Sequence, residues 1–210
     1  MESLQKLFGG AAPVRVMRLF LLNPETVFEA GDVAKKAGLS SAAVRREIQK
    51  LISAKMIVKK TTLKEMAISK RGQRKKNTKI KKRRISGFIL NQSFAHLPAL
   101  RMLVAGANLI EKKRVVSRLG ATGNIKLLVL SGVFLRAGEP GRIDALVVGE
   151  NLHNKKLDRA FHAIESDMGK ELQYAAMDPR EFTYRFNMHD KFLRDIFDYP
   201  HEKLVNKLGV

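Results

Sequence analysis

The chain has 210 residues, of which 45% are hydrophobic, and a formal net charge of +20 at pH 7. It contains no cysteine, which excludes disulfides and thiolate zinc sites, and its five scattered histidines lack the spacing of metal ligands. The segment MESLQKLFGG has no apolar core of the length that a signal peptide needs, and no apolar run approaches the roughly 20 residues of a membrane helix.

Two helices are predicted in the first 38 residues. Apolar residues three and four apart after Pro13 indicate a helix of about ten residues, which Asn23-Pro24 ends. Thr26-Val27-Phe28 has the residue types of a short extended piece. The next helix ends at Gly38, which supplies a left-handed backbone conformation.

A third helix follows, capped by either Ser40 or Ser41. The residues that we expect to turn inward are Val44, Ile48, Leu51 and Ile52. Those that we expect to turn outward near its start are Ser41, Ala42, Arg45 and Arg46. Small side chains let a helix enter the major groove of DNA, and arginine can contact phosphate or pair bidentately with guanine.

After Met56 the pattern becomes extended, with two strands joined by a long basic loop. Fourteen Lys and Arg residues but a single acid, Glu65, lie between Lys55 and Arg84, whereas residues 121–210 carry 13 basic and 13 acidic residues. A solvated surface tract is the usual explanation of such a run, but its position in a hairpin after a helix-turn-helix favours nucleic-acid contact. Because no aromatic residue interrupts the run, duplex phosphates fit better than single-stranded bases.

The order of these elements resembles a known family. The segments LFGG, PVRVMRLFLLNPE, DVAKKAGLSSAAVRREIQKL and GFILNQSFAHLPALRMLV look like the winged-helix regulators that are fused to a nucleotidyltransferase-like domain. The resemblance implies sequence-specific binding of double-stranded DNA, with the recognition helix matched at residues 40–46 and the wing at residues 70–82. The candidate DNA-binding residues are Ser40, Ser41, Ala42, Arg45, Arg46, Lys50, Lys70, Arg71, Arg74, Lys75, Lys76, Lys79, Lys81 and Lys82.

The second half is predicted to begin with a long helix from Leu97 to Leu119, which connects two domains. Its apolar stripe is either core or the seam of a homodimer, and its members are Leu100, Leu103, Val104, Ala107 and Ile110. Three extended segments are predicted, at residues 125–131, 143–149 and 171–177, with an amphipathic helix between the second and third. The tail returns to helical spacing through Met188, Phe192, Ile196 and Phe197 and stops at residues 198–200.

The segment VLSGVFLRAGEPGRIDALVVG resembles the nucleotidyltransferase signature, a Gly-Ser turn followed on the next strand by Asp-x-Asp. Carboxylates two residues apart on a strand point the same way and can hold two divalent metals. Here Val133 follows Gly132, and Arg142 stands where the first Asp would be, which leaves Asp144. A guanidinium there repels a metal by several kcal/mol, so we expect no catalysis. On the following strand, Gln173 or its neighbours take the inward position.

Four residues of this segment stay candidates for binding an anion or a nucleotide, with a structural role as the alternative. They are Gly132, Arg136, Arg142 and Asp144.

The sequence therefore predicts an α+β protein with a winged-helix domain at residues 1–95, a connecting helix at 96–120 and a small nucleotidyltransferase-like α/β sheet domain at 121–210. We expect a cytoplasmic transcriptional regulator that binds double-stranded DNA, with no cofactor and no membrane partner, and a homodimer is the expected assembly. The alternatives are an RNA-binding or ribosome-associated basic protein and, less favoured, an active nucleotidyltransferase.

Overall fold

The computed structural model describes residues 2–68, 79–105, 111–135 and 143–210, with the backbone alone at residues 2, 64–68 and 79–82. The chain divides into two compact units, Ser3–Gly106 and Ala107–Val210. The first contains a two-stranded antiparallel sheet and the second a four-stranded mixed sheet, each accompanied by helices. The predicted α+β class is confirmed.

The amino-terminal unit begins with four helices. They are α1 (Glu2–Leu7), α2 (Ala11–Leu22), α3 (Ala30–Ala37) and α4 (Ser41–Ser53). The last three confirm the predicted helices, whereas α1 was not predicted because six residues are too few for a clear periodicity. Gly38 has the expected left-handed backbone, with φ 60°, and Ser40 rather than Ser41 caps α4 by accepting a bond from the Ala43 N–H.

The core of this unit forms around α2, against which α3 and α4 both pack. Its buried residues include Val16 and Phe20 of α2, Val33 of α3, and Val44 and Ile48 of α4. Burying side chains of this size stabilises the unit by about 1.5–3 kcal/mol each. The apolar side chains whose spacing predicted the helices are thus the ones that pack the helices together.

A long hairpin follows, formed by β1 (Ile57–Ile68) and β2 (Lys79–Leu90). The strands pair in one unbroken antiparallel register, from Ile57 opposite Leu90 to Ile68 opposite Lys79. The predicted extended piece is confirmed as a bridge at Phe28, which both donates to and accepts from the backbone of Phe88 at 2.9 Å. This bridge ties the hairpin base to the helices.

The predicted single helix from Leu97 to Leu119 is wrong. Helix α5 (Leu97–Leu100) widens into a π-helical turn (Arg101–Ala105), and α6 (Lys112–Gly120) starts anew after Glu111, whose φ and ψ of −69° and 126° are extended. The fully buried Arg18 contributes to the π turn, because its Nε donates to the Val104 carbonyl at 2.9 Å. Of the predicted stripe, Val104 is buried but Leu103 is 45% exposed, and residues 107 and 110 lie outside the described residues.

The carboxy-terminal unit is built on a sheet of β3 (Asn124–Ser131), β4 (Ala145–Glu150), β5 (Tyr174–Met177) and β6 (His201–Asn206), in the order β5-β4-β3-β6. Only the β4–β5 pair is parallel, and helix α7 (Asn154–Met168) connects those two strands, as a parallel crossover requires. The first three strands and α7 confirm the predicted extended segments and the helix between them.

Helices cover both faces of this sheet. Leu128 and Leu130 of β3 share a core with α6 and α7, while Leu127 and Val129 share another with α8 (Pro179–Asn187) and α9 (Lys191–Asp198). Because alternate residues of a strand point to opposite faces, a strand that is covered on both sides must be apolar throughout. The run LLVL in β3 meets that requirement.

Strand β6 is absent from the sequence prediction, which gave the tail helical structure alone. The helices end where expected, at Asp198, but His201–Asn206 then forms a strand that pairs antiparallel with β3. Met188, predicted on the buried side of the tail helix, is instead 65% exposed in the turn between α8 and α9. Strand β6 has no run of alternating hydrophobicity, so its conformation depends on the edge that β3 offers.

We expect Gly87→Ala to weaken the anchoring of the hairpin. A Cβ at this position would lie 2.5 Å from the Phe28 carbonyl oxygen, closer than real Cβ contacts allow. The substitution should lower the free energy of unfolding in urea by about 1–3 kcal/mol. Gly31→Ala is the control, because a Cβ there meets nothing within 4 Å and helix α3 should gain up to about 1 kcal/mol. Equal stability of the two variants would contradict the tight approach.

Candidate nucleic-acid interface

The outward face of α4 carries small and cationic residues, as predicted. Ser41, Ala42, Arg45 and Arg46 are exposed, whereas Val44 and Ile48 are buried against the core. Gln49 is also exposed, three to four residues after the arginines and so on the same face. It was not proposed from the sequence, although the helical spacing could have identified it. The face thus combines two guanidinium groups with one amide.

Two other predicted contacts of this helix have intramolecular partners. The Ser40 hydroxyl accepts the Ala43 N–H at 3.3 Å, so this residue acts as the cap of α4. The Lys50 ammonium donates to Glu47 at 2.9 Å, and Glu47 is far more buried, with 11% against 68% of its side chain exposed. Lys50 therefore compensates the charge of a largely buried carboxylate in the same helix.

The predicted loop residues Lys70, Arg71, Arg74, Lys75 and Lys76 lie outside the described residues. Three further predicted cations, Lys79, Lys81 and Lys82, lie in β2, where the backbone alone is described.

The hairpin presents other cations that the sequence prediction did not select. Lys59 and Lys60 of β1 and Arg83 and Arg84 of β2 are all exposed. They belong to the same basic run, but only the predicted loop was matched to the wing. Their place in the basic run could have identified them. In the structure, Lys59 and Lys60 pair with Phe88 and Gly87 at the base of the hairpin. Positive charge thus begins close to the helical core.

The hairpin register also brings like charges together. Lys64 pairs directly with Arg83, whereas the acid Glu65 pairs with Lys82. Like charges at directly paired positions repel each other and destabilise an antiparallel pair. In the described residues, β1 and β2 pair only with each other apart from the bridge at Phe28. A two-stranded ribbon is only marginally stable in water, so a bound polyanion would stabilise this one by neutralising its charge.

The carboxy-terminal candidate residues Gly132 and Asp144 form a structural contact. Asp144 is 9% exposed, and its two carboxylate oxygens accept the backbone N–H groups of Val133 at 3.0 Å and Gln173 at 2.9 Å. Gly132 has φ 52°, and a Cβ there would lie 2.5 Å from Asp144 Oδ1. Both residues therefore have a local role in joining three segments of the sheet. The candidates Arg136 and Arg142 lie outside the described residues.

The neighbourhood of Asp144 offers few further ligands. Gln173, predicted to point inward, is exposed and contributes its backbone N–H to the contact with Asp144. Within residues 2–68, 79–105, 111–135 and 143–210 no group of three or more His, Asp or Glu side chains could hold a metal ion. Asp144 therefore belongs to no group of three such side chains in the part of the chain that the structure describes.

Tyr174, beside this contact, is held in its protonated form. Its ring stacks on Phe161 with centroids 3.7 Å apart, and its hydroxyl donates to Asp158. Burial, and then the hydrogen bond to Asp158, raise the pKa of Tyr174 to about 12. The phenol therefore stays neutral near pH 7 and packs as part of the α7 face.

We expect Asp144→Asn to destabilise the carboxy-terminal unit. The amide has one acceptor oxygen, so its NH₂ group would face one of the two backbone N–H donors and leave it unpaired. The free energy of unfolding should fall by about 1–3 kcal/mol, measured by urea denaturation. Asp198→Asn is the matched control, since Asp198 is exposed and 3.8 Å from Arg194, and should change stability by less than about 0.5 kcal/mol. An unchanged stability of Asp144→Asn would contradict the structural role of this carboxylate.

Comparison with known proteins gives no relative for this chain: no family model, no curated protein and no solved structure matches it. None of the helices in the described ranges is both long enough and apolar enough to cross a membrane. What the chain binds must therefore be inferred from its own charge and geometry.

Proposed function

We propose that this protein is a transcriptional regulator whose amino-terminal unit is a winged helix that binds double-stranded DNA. The observation that supports this most strongly is the joint exposure of Arg45 and Arg46 on α4 and of four cations on the hairpin that follows it. In this proposal α4 is the recognition helix and the hairpin is the wing. Both belong to one compact unit.

The hairpin would supply affinity that does not depend on sequence. Each phosphate that a Lys or Arg neutralises releases condensed counterions, so the logarithm of the binding constant falls with the logarithm of salt concentration by about 0.9 per contact. Lys59, Lys60, Arg83 and Arg84 account for a slope of about 3 to 4 if each contacts one phosphate. Contacts from the basic loop would add to it.

Helix α4 would supply specificity. Ser41 and Ala42 at its start are small, which lets the helix approach base edges. Arginine pairs bidentately with guanine and glutamine with adenine, so Arg45, Arg46 and Gln49 can distinguish base pairs. Each such pair is worth about 1–3 kcal/mol of discrimination against a wrong base.

We also propose that the carboxy-terminal unit is an assembly or sensing platform and not a working nucleotidyltransferase. The contacts of Asp144 support this, because both carboxylate oxygens accept backbone N–H groups. A homodimer would let two winged helices read half-sites about 34 Å apart.

The lack of enzymatic activity can be tested with labelled nucleotide and magnesium. We expect no transfer of the label to DNA, RNA or protein, and any transfer that Asp144→Asn abolishes would contradict this proposal.

The function can be tested by fluorescence anisotropy with three probes at two salt concentrations. The probes are the DNA upstream of the protein's own coding sequence, a random duplex of equal length and a structured RNA. We expect a preference for the upstream duplex that persists when salt is raised. Equal binding of all three probes that collapses in salt would contradict sequence-specific recognition, and preference for the RNA would favour the RNA-binding alternative.

The helix surface makes a sharper prediction. Arg45→Ala and Arg46→Ala should each weaken binding to the preferred duplex by about tenfold or more, and binding to random duplex by less, since base contacts are lost. Lys50→Ala is the control on the same helix and should have a smaller effect, because its ammonium is paired with Glu47. Equal losses on both duplexes would show that the arginines contact only the backbone.

A further inference from the structure

Lys55, between α4 and β1, has an unusual backbone conformation. Among the residues whose backbone the structure describes, three that are not glycine have a left-handed φ: Lys55 (60°), Asn151 (54°) and His189 (51°). After glycine, Asn and His are among the residue types that adopt this conformation most readily, whereas lysine adopts it rarely. Lys55 is therefore the one of the three that its residue type does not explain.

Comparable helix ends in this chain use glycine. Gly38 follows α3 with φ 60°, and Gly169 follows α7 with φ 78°. Glycine adopts this conformation without steric cost, so it would relieve strain at position 55 as well. A strained residue that persists where an unstrained one is available points to a role for its side chain.

The conformation is fixed by hydrogen bonds from both sides. The Lys55 N–H donates to the Ile52 carbonyl at 2.9 Å, and the Lys55 carbonyl accepts from Asn91 Nδ2 at 2.8 Å. The Asn91 N–H donates to the next carbonyl, that of Met56, at 2.9 Å. Asn91 thus holds the junction of α4 and β1 from the end of β2, at the base of the hairpin, and the Lys55 side chain extends from a backbone that is hydrogen-bonded on both sides.

We propose that Lys55 is a phosphate-contacting residue at the junction between the recognition helix and the wing. Its side chain is exposed, and the cations of β1 begin four residues later, at Lys59 and Lys60. A fixed backbone lowers the entropy lost when a long side chain is immobilised on a phosphate. This inference rests on the proposed function, since the phosphate is that of the bound nucleic acid.

A simpler explanation is that a cation near the carboxyl end of α4 interacts favourably with the helix dipole. That explanation predicts an effect of Lys55 on stability and none on binding. The phosphate contact predicts the reverse, so the two can be separated by measuring both quantities on the same variants.

The test is Lys55→Asn in the full chain, because Asn tolerates the left-handed conformation and removes the charge. We expect a Tm that is unchanged or up to about 4 °C higher. Affinity for the preferred duplex should fall about three- to tenfold at low salt, and the slope of log affinity against log salt should decrease in magnitude by about 0.9. Lys55→Arg keeps the charge and should bind as the wild type does.

Two further variants serve as matched controls. Lys170→Asn removes an exposed cation from the carboxy-terminal unit and should leave affinity and salt slope unchanged. His189→Gly relaxes the same kind of φ in that unit and should raise Tm without changing affinity. The first control measures the effect of net charge on binding, and the second measures the effect of backbone strain. Both effects can then be distinguished from the loss of a local phosphate contact.

The inference is overturned if Lys55→Asn binds with the affinity and salt slope of the wild type, or if it only lowers Tm, as the dipole explanation requires. Failure of the proposed function has a different signature. In that case the wild type prefers no duplex, but Lys55→Asn still loses affinity and salt slope on random duplex and RNA probes. This result would support the phosphate contact and reject the sequence-specific regulator. Absence of all nucleic-acid binding by the wild type would reject both.

Discussion

The anchoring of a highly charged hairpin to an apolar helical core is the constraint on which the amino-terminal unit depends. Repulsion among the hairpin cations opposes pairing of β1 with β2, and no third full strand supports them in the described residues. The base of the hairpin offsets this through the Phe28–Phe88 bridge and the edge-to-face contact of Phe28 with Phe20, whose ring centroids are 5.6 Å apart. Gly87 permits the close approach that the bridge requires. The core thereby fixes the position of the positive charge at the base of the hairpin.

The two units differ in the exposure and pairing of their charged side chains. In the first, Arg45 and Arg46 of α4 and Lys59, Lys60, Arg83 and Arg84 of the hairpin are exposed. In the second, formal charges balance over residues 121–210, and its most buried acids have protein partners. Asp167, 2% exposed, is paired with Arg118 at 2.7 Å, and Asp144 accepts two backbone N–H groups. Exposed cations thus characterise the amino-terminal unit, whereas the most buried acids of the carboxy-terminal unit stabilise its own fold.

Local signals in the sequence predicted much of this structure, and long-range pairing limited the rest. The spacing of Val44 and Ile48 and the residue types at Gly38 and Ser40 carry enough information to predict α3 and α4. Strand β6 and the π-helical turn at Arg101–Ala105 could not be predicted, because the strand depends on the free edge of β3 and the turn accepts a hydrogen bond from Arg18, which is 86 residues away in the sequence. The same holds for the candidate site: spacing predicted the exposed arginines, but nothing local indicated the partners of Asp144 or the backbone conformation of Lys55.

The central claim is that the amino-terminal unit reads the sequence of duplex DNA. Its most direct test is repeated selection of duplexes from a random pool by the full chain at about 0.15 M salt, where exposed charges are screened beyond about 8 Å, followed by sequencing. A regulator of this kind should enrich a short motif, and Arg45→Ala and Arg46→Ala should change the preferred bases within it. A bound pool that stays random, for the wild type and both variants alike, would contradict sequence-specific recognition.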